Sequence, residues 1–280
     1  MPKPAGARRR TKPQPRGDSG VLERLRDHLE RLGLKELDQT LDAHLAWAHE
    51  HNPSALVLLE RVLGDGAQQL RQRRVERRIV TCGLRVRKTL ETFDWAFQKN
   101  LNRAVIEGLA TLGFVDDRED LLITGKSGTG KSHILQALAL RACEREIQVR
   151  YTRCVDLIDD LYAGLADQTY EARLRRWARA EWLVIDDVGL GQLRRRDDEP
   201  TAAHMLFNLL DRRHEQAATA LTSNIKLGEW GKYLGDATLA AAILGRLAMT
   251  SIHIDIDGPS YRDHLAKQRA KDHGIIDVAV

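Results

Sequence analysis

The chain has little of several things, and each scarcity narrows what it can be. Its 280 residues include three cysteines, Cys82, Cys143 and Cys154. An odd count without metal-ligand spacing argues against a disulfide framework and fits a reducing cytosol. The ten histidines form neither H-x-x-x-H nor H-E-x-x-H, so no histidine metal site is legible. No apolar run approaches the roughly 20 residues that a membrane-spanning helix needs. Arg8-Arg9-Arg10 is not followed by the apolar stretch of a secretory signal. Aromatic residues make up 5%, as in many helix-rich α/β proteins, and no internal repeat stands out.

What is present is unevenly charged. The net charge of +4 conceals a basic first part, with 20 Lys and Arg against 13 Asp and Glu over residues 1–100. Residues 101–280 carry 24 against 27. A basic N-terminal part beside a near-neutral remainder suggests a polyanion-binding module attached to another unit.

Residues 1–19 hold four prolines, six Lys or Arg and almost nothing apolar, which predicts a disordered basic arm, either a solvated tail or a nucleic-acid contact. Residues 20–88 read as a helical domain. Val21, Leu22, Leu25, Leu29 and Leu32 recur at helical spacing up to a stop at Gly33. Leu37, Leu41, Ala43, Leu45 and Ala48 form a second stripe. After the turn Asn52-Pro53, Ser54 is placed to cap a third helix whose stripe is Leu56, Leu58, Leu59, Val62 and Leu63. The densest positive region follows: Arg71, Arg73, Arg74, Arg77, Arg78, Arg85, Arg87 and Lys88 against the single acid Glu76. Such a run is either a solvated helix face or, as its one-sided charge favours, a contact for a phosphate backbone through counterion release, without naming a sequence or groove. Residues 89–95 form a link into a domain over 89–265, where a helix is expected over Gln98–Leu112. Residues 266–280 are read as a C-terminal tail.

The stretch Asp120–Ser132 organises that second domain. An apolar strand, Leu121-Leu122-Ile123, runs into Gly125-x-x-x-x-Gly130-Lys131-Ser132 and then a helix. This is the P-loop pattern in the strand–loop–helix setting it requires. Gly125, Ser127, Gly128, Thr129, Gly130, Lys131 and Ser132 are therefore the candidate phosphate cradle. Lys131 can reach the β- and γ-phosphates, and the Ser132 hydroxyl can ligate Mg²⁺. Glu181–Asp187 is a buried-strand pattern ending in two carboxylates, the Walker B arrangement. There Asp186 would hold the metal shell, and Asp187 would orient or deprotonate water. The strand 218–222 ends in Ser223-Asn224, where Asn224 is either a turn residue or a partner of the γ-phosphate or water. Tyr170–Ala180 is a basic helix with Arg173, Arg175, Arg176 and Arg179, either solvated or facing DNA. Arg246, in a helix over 236–250, is either a surface arginine or a finger reaching a neighbouring subunit's nucleotide. The segment 252–256 alternates as a final strand, followed by Ser260-Tyr261-Arg262 and a basic helix.

These features come in an order that resembles the IstB-like transposition helper ATPases, relatives of the DnaC helicase loader within the AAA+ class. The likeness rests on the basic helical N-domain, the link 88–94, the P-loop followed by His133, Asp186-Asp187-Val188-Gly189, Thr222-Ser223-Asn224 with Trp230, Arg246 and Ser260-Tyr261-Arg262, and covers about residues 20–265. It implies an AAA+ α/β core with a central parallel sheet behind a small all-helical domain. It also implies ATP and Mg²⁺ as cofactors, Asn224 as the sensor-1 residue, Arg246 as the arginine finger and Arg262 as a sensor-2-like arginine. The implied protein is a bacterial cytoplasmic ATPase, nucleoid-associated when on DNA, that assembles as an ATP-dependent homo-oligomer on duplex DNA and serves a partner transposase. A DnaC-like helicase loader is the alternative in the same fold, and a P-loop small-molecule kinase the alternative from another class. The chain departs from the resemblance in three places. Ser132 stands where threonine is usual. Asp187 stands where many AAA+ enzymes use glutamate, which predicts slow hydrolysis suited to a switch. Pro259 precedes the final helix and bears on the geometry around Arg262.

Overall fold

A computed structural model describes residues 18–84, 86–193 and 200–272. The rest of the expected arm (1–17), Arg85, the charged loop 194–199 and the tail end 273–280 lie outside the described residues. The chain divides into two compact units, Met1–Arg74 and Val75–Val280.

The first unit is helical. Its elements are α1 (Asp18–Arg31), α2 (Lys35–His51) and the greater part of α3 (Ala55–Cys82). Gly33, at φ 71°, ends α1 as expected, with its N–H on Glu30 O and that of Leu34 on Leu29 O. Asn52 closes α2 in the left-handed conformation, and Ser54 Oγ accepts the Val57 N–H at the start of α3. The core is Leu29, Leu37 and Leu41, with Leu22, Leu34, Leu45 and Val62 against it. The stripe expected to bury Leu56, Leu59 and Leu63 does not: these residues are 77%, 55% and 61% exposed. Leucine and valine lie on several sides of this part of α3, and only the side of Val62 and Gly66 turns inward, Gly66 against Leu37.

The second unit is a three-layer α/β core. Its strands are β1 (Asp120–Gly125), β2 (Val149–Arg153), β3 (Trp182–Val188), β4 (Ala218–Ser223) and β5 (Ser251–Ile256). All pair in parallel, in the order β2-β3-β4-β1-β5. Its helices are α4 (Arg103–Leu109), α5 (Gly113–Asp116), α6 (Lys131–Glu144), α7 (Cys154–Ala166), α8 (Tyr170–Ala178), α9 (Ala202–Arg213), α10 (Trp230–Leu234), α11 (Ala237–Thr250) and α12 (Tyr261–Asp272). Alternate strand residues serve opposite faces. Leu121, Ile123, Val184 and Ala220 pack with α4, α6 and the end of α3, and Leu122, Leu183, Ile185 and Leu221 pack with α7 to α11.

The structure places three boundaries elsewhere than the sequence suggests. The units part at Arg74/Val75 rather than after Lys88, because Val75, Ile79, Cys82 and Leu84 belong to the second core. The helix expected over 98–112 begins at Arg103, since Asn102 Oδ1 accepts the N–H groups of Ala104 and Val105 and fixes the start there. Leu112, at φ 62°, then turns the chain before α5. The last helix runs past residue 265 to Asp272. One buried cation joins the far side of the sheet. Arg213 Nη1 donates to Ala178 O (2.8 Å) and Ala180 O (2.7 Å), Nη2 to Ala218 O, and Nε to Thr219 Oγ1 (3.0 Å). Burial pushes its guanidinium down to about 10.

Candidate nucleotide-binding site

Parallel strands bring their C-terminal ends to one side of the sheet, where ligands bind in open α/β folds. β1 leads into the loop 125–130, whose Gly125, Gly128 and Gly130 all have positive φ. Gly130, at φ 100°, also lies under the ring of Phe93, and a Cβ there would stand 2.6 Å from the ring. The amides opening α6 point into this loop and favour an anion. Lys131 is buried, and its Nζ donates to Gly125 O and Lys126 O, both at 2.7 Å. Burial lowers its ammonium to about 8, against the opposing pull of Asp187 and Asp186.

β3 supplies the carboxylates. Its pairing with β4 runs to Ile185↔Leu221 and resumes at Val188↔Ser223, with an irregularity between. Asp186 and Asp187 occupy that irregularity, and Asp187 has φ 61°. A bulge re-aims side chains that a regular strand would send to alternate faces. Asp186 is buried, and its Oδ1 accepts from Ser132 Oγ (3.0 Å), the Asp187 N–H (3.1 Å) and the Thr222 hydroxyl. Burial raises its pKa, while hydrogen bonds from Thr222, Tyr151 and Ser132 pull the other way. Thr222 Oγ1 also accepts the Asp187 N–H at 2.8 Å. From the end of β4, Asn224 Nδ2 donates to Asp187 Oδ1 at 3.0 Å.

The opposite wall comes from the link and from α12. Phe93, Asp94, Phe97, Gln98, Tyr261 and Leu265 line a cavity of about 430 Å³ that also meets residues 127–133, Asp187, Asn224 and Arg262. Tyr261 N–H donates to Gly128 O (2.9 Å), Gln98 Nε2 to Pro259 O (2.8 Å), and Asn100 Nδ2 to Asp257 O (3.1 Å). The proline segment is thus pinned, and Arg262 stands in the cleft.

The fold therefore gathers Ser127, Gly128, Thr129, Gly130, Lys131, Ser132, Asp187, Asn224 and Arg262 around one cavity, with Asp186 behind Ser132. Arg246 is not among them. It pairs with Asp211 and lies over the ring of Phe207, 4.5 Å from its centroid. The basic cluster is not one free surface. In the first unit Arg73 pairs with Glu36. In the second, Arg87 grips both oxygens of Glu76 (3.0 and 2.7 Å), and Lys88 lines the nucleotide cleft. In α8, Arg173 pairs with Asp160 and Asp167, and Arg176 with Asp160. Sequence reasoning missed Thr222, Tyr151 and the wall of Phe93, Phe97 and Tyr261. The first two meet Asp186 only through the strand order, for which the sequence carries no local signal.

A Mg²⁺–nucleotide fits the residues present. The loop offers main-chain donors and an ammonium to phosphate, and Ser132 with Asp186 forms a hard oxygen donor pair, largely desolvated, of the kind Mg²⁺ takes. Among the described residues no group of three or more His, Cys, Asp or Glu is placed to hold a metal, and no helix is long and apolar enough to cross a membrane.

Comparison with known proteins agrees with this geometry. The family described as IstB-like ATP binding protein matches residues 27–270. An ATP-binding protein named for insertion sequence IS5376 of Geobacillus stearothermophilus is 33% identical over 255 residues, 90% of this chain and 100% of that protein. One named for IS21 of Pseudomonas aeruginosa is 33% identical over 234 residues, 84% of this chain and 86% of that protein. Among solved structures, AMPPCP-bound DnaA from Aquifex aeolicus superposes with a TM-score of 0.50 at 21% identity, over 68% of this chain and 56% of that one. That likeness is one of fold, a parallel α/β core with a P-loop.

Proposed function

The chain belongs to the IstB-like ATP-binding protein family, and from that premise we propose that it is a slow ATPase switch that assembles on duplex DNA and assists a transposase. The observation that carries the reading is the single cleft shared by Lys131, Ser132, Asp187, Asn224 and Arg262, with Asp186 bonded to Ser132 behind it. A site built only to hold a nucleotide has no use for an acid tied to an amide at the strand ends. That pair suits the positioning of water for attack on a γ-phosphate.

In this reading Lys131 and the loop amides hold the phosphates, and Ser132 and Asp186 hold the metal. Mg²⁺ held there would supply charge neutralisation at the phosphates. Asp187 accepts the water's proton, with Asn224 fixing its carboxylate, and Arg262 meets the phosphates from α12. Asp187 is one methylene shorter than a glutamate, which supports slow turnover. Arg246 would leave Asp211 to meet the nucleotide of an adjoining copy. Exposed ion pairs are worth at most about 1 kcal/mol, so such an exchange is cheap. Arg71, Arg73, Arg74, Arg77, Arg78 and Arg87 are the proposed DNA contacts. Arg85 is proposed with them on its place in the sequence alone. Lys88 is assigned to both cleft and DNA. Insertion-sequence relatives support the transposase as partner.

The test is imaging and sedimentation of the purified chain with a non-hydrolysable ATP analogue, with and without duplex DNA. Ordered assemblies that need both ligands are expected. Arg246→Ala should still bind nucleotide but lose assembly and on the order of a thousandfold in turnover. A chain that stays monomeric with both ligands present refutes the switch.

A further inference from the structure

We propose that Tyr151, near the end of β2, is a positioning residue for the metal side of this site: its phenol holds the Asp186 carboxylate in the orientation that receives Mg²⁺. The inference rests on the ATP reading above.

Asp186 uses its two oxygens differently. Oδ1 has three donors, from Ser132, Thr222 and the Asp187 main chain. Oδ2 receives the hydroxyl of Tyr151. A carboxylate held at one oxygen can still swing about its Cβ–Cγ bond. Held at both, its plane is fixed, and groups behind a metal ligand set its orientation in this way. Register explains how the residues meet. Tyr151 pairs with Val184, which lies two residues before Asp186 and on the same face of the sheet. A side chain as long as tyrosine spans the remaining distance along the strand.

The direction of the hydrogen bond is also determined. Gln136 Nε2, from α6, donates to the Tyr151 oxygen at 3.3 Å. The phenol's one proton is then left for Asp186.

Two further features separate this role from nucleotide binding and from general packing. Tyr151 does not line the main cleft; it lines a smaller cavity of about 240 Å³ with Ser132, Gln136, Asp186 and Asp187. Its backbone is held from behind by Gly83, the residue after α3, at φ 90°. A Cβ on Gly83 would stand 2.8 Å from the Tyr151 carbonyl oxygen. Displacing that carbonyl moves the strand end that carries the phenol.

The experiment is a Mg²⁺ titration of fluorescent ATP-analogue binding to the full chain, with a parallel series in EDTA. For Tyr151→Phe the Mg²⁺ concentration at half-maximal effect should rise at least about tenfold, in line with substitutions behind metal ligands. Affinity in EDTA should stay within about twofold of wild type, where a purely structural role would lower both equally. The ligand-free melting temperature checks the fold. Gly83→Ala, which disturbs the same strand end from the other side, should shift the Mg²⁺ requirement in the same direction and stands in if the phenylalanine variant does not fold. An unchanged Mg²⁺ requirement, or equal losses with and without metal, overturns the proposal. A wild-type chain that binds no nucleotide under either condition overturns the ATP reading itself, which is a distinct outcome.

Discussion

Asn224 donates its amide to Oδ1 of Asp187 across 3.0 Å, so the ends of two neighbouring strands are tied at the point where both face the cleft. In the proposed reading the pair divides the work of the site. Asp187→Asn should abolish phosphate release while leaving nucleotide affinity within a few-fold of wild type. Asn224→Ala should lower turnover about a hundredfold, the scale of losing one pre-placed polar group. Equal turnover in Asp187→Asn and wild type would remove Asp187 from the mechanism.

Nucleotide binding should depend on pH if Lys131 holds the phosphates as proposed. Its pKa is depressed to about 8 by burial, below the 10.5 of a free lysine. A bound phosphate favours the charged ammonium, so above that pKa the free chain must take up a proton in order to bind. Affinity should be full below pH 8 and fall above it, by at most about tenfold per pH unit. Calorimetry across this range, without Mg²⁺, reads the slope directly. Lys131→Arg, which stays charged, should flatten it. A wild-type profile already flat would contradict the assignment.

Phe93 and Gly130 form a second test. Gly130→Ala meets two obstacles, a positive φ and the ring of Phe93. The backbone part costs about 1–2 kcal/mol in any surroundings. The steric part exists only while the ring is present. Nucleotide affinity should therefore collapse in Gly130→Ala and recover in part, not fully, when Phe93→Ala is added. Strict additivity of the two changes would show that the ring does not press on the loop.

Arg213 carries stability rather than chemistry. Its guanidinium satisfies the carbonyls of Ala178, Ala180 and Ala218 at the N-terminal ends of β3 and β4. Arg213→Met fills similar space but strands those acceptors. Each buried orphan costs about 1–3 kcal/mol, so the loss should exceed about 2 kcal/mol. Urea unfolding measures it, and a variant as stable as wild type would show that water replaces the side chain.

How far the sequence could be read followed from how local each feature is. The loop 125–132 is an eight-residue pattern whose conformation its own glycines impose, and the Asp186-Asp187 strand carries a continuous apolar run before it. Both were legible. Thr222 and Tyr151 were not, because they act on Asp186 only through the order β2-β3-β4, which no spacing along the chain encodes. Lys88 was grouped with the arginines before it because a charge run has no internal marker of where the chain turns, and the turn after α3 carries it to the cleft. The helix expected from Gln98 failed for a different reason. Asn102 is a strong cap, yet its apolar neighbours continue the helical period on either side of it. Leu56, Leu59 and Leu63 have the spacing of a core stripe, but residues apolar around most of a helix do not say which side is covered.

The contacts of Gln98 with Pro259 and Asn100 with Asp257 bind the segment before α4 to the segment after β5, and that of Tyr261 with Gly128 binds the start of α12 to the P-loop. The unit is a closed ring in this sense, fastened at a clasp made from its two ends. Its sheet and P-loop lie wholly within 120–256, and a fragment of those limits would look complete on a topology diagram. It would lack one wall of its own cleft. The smallest piece that keeps nucleotide affinity should instead run from Val75, where the second core begins, through α12, and trimming either end should be felt at the loop before it is felt in the sheet.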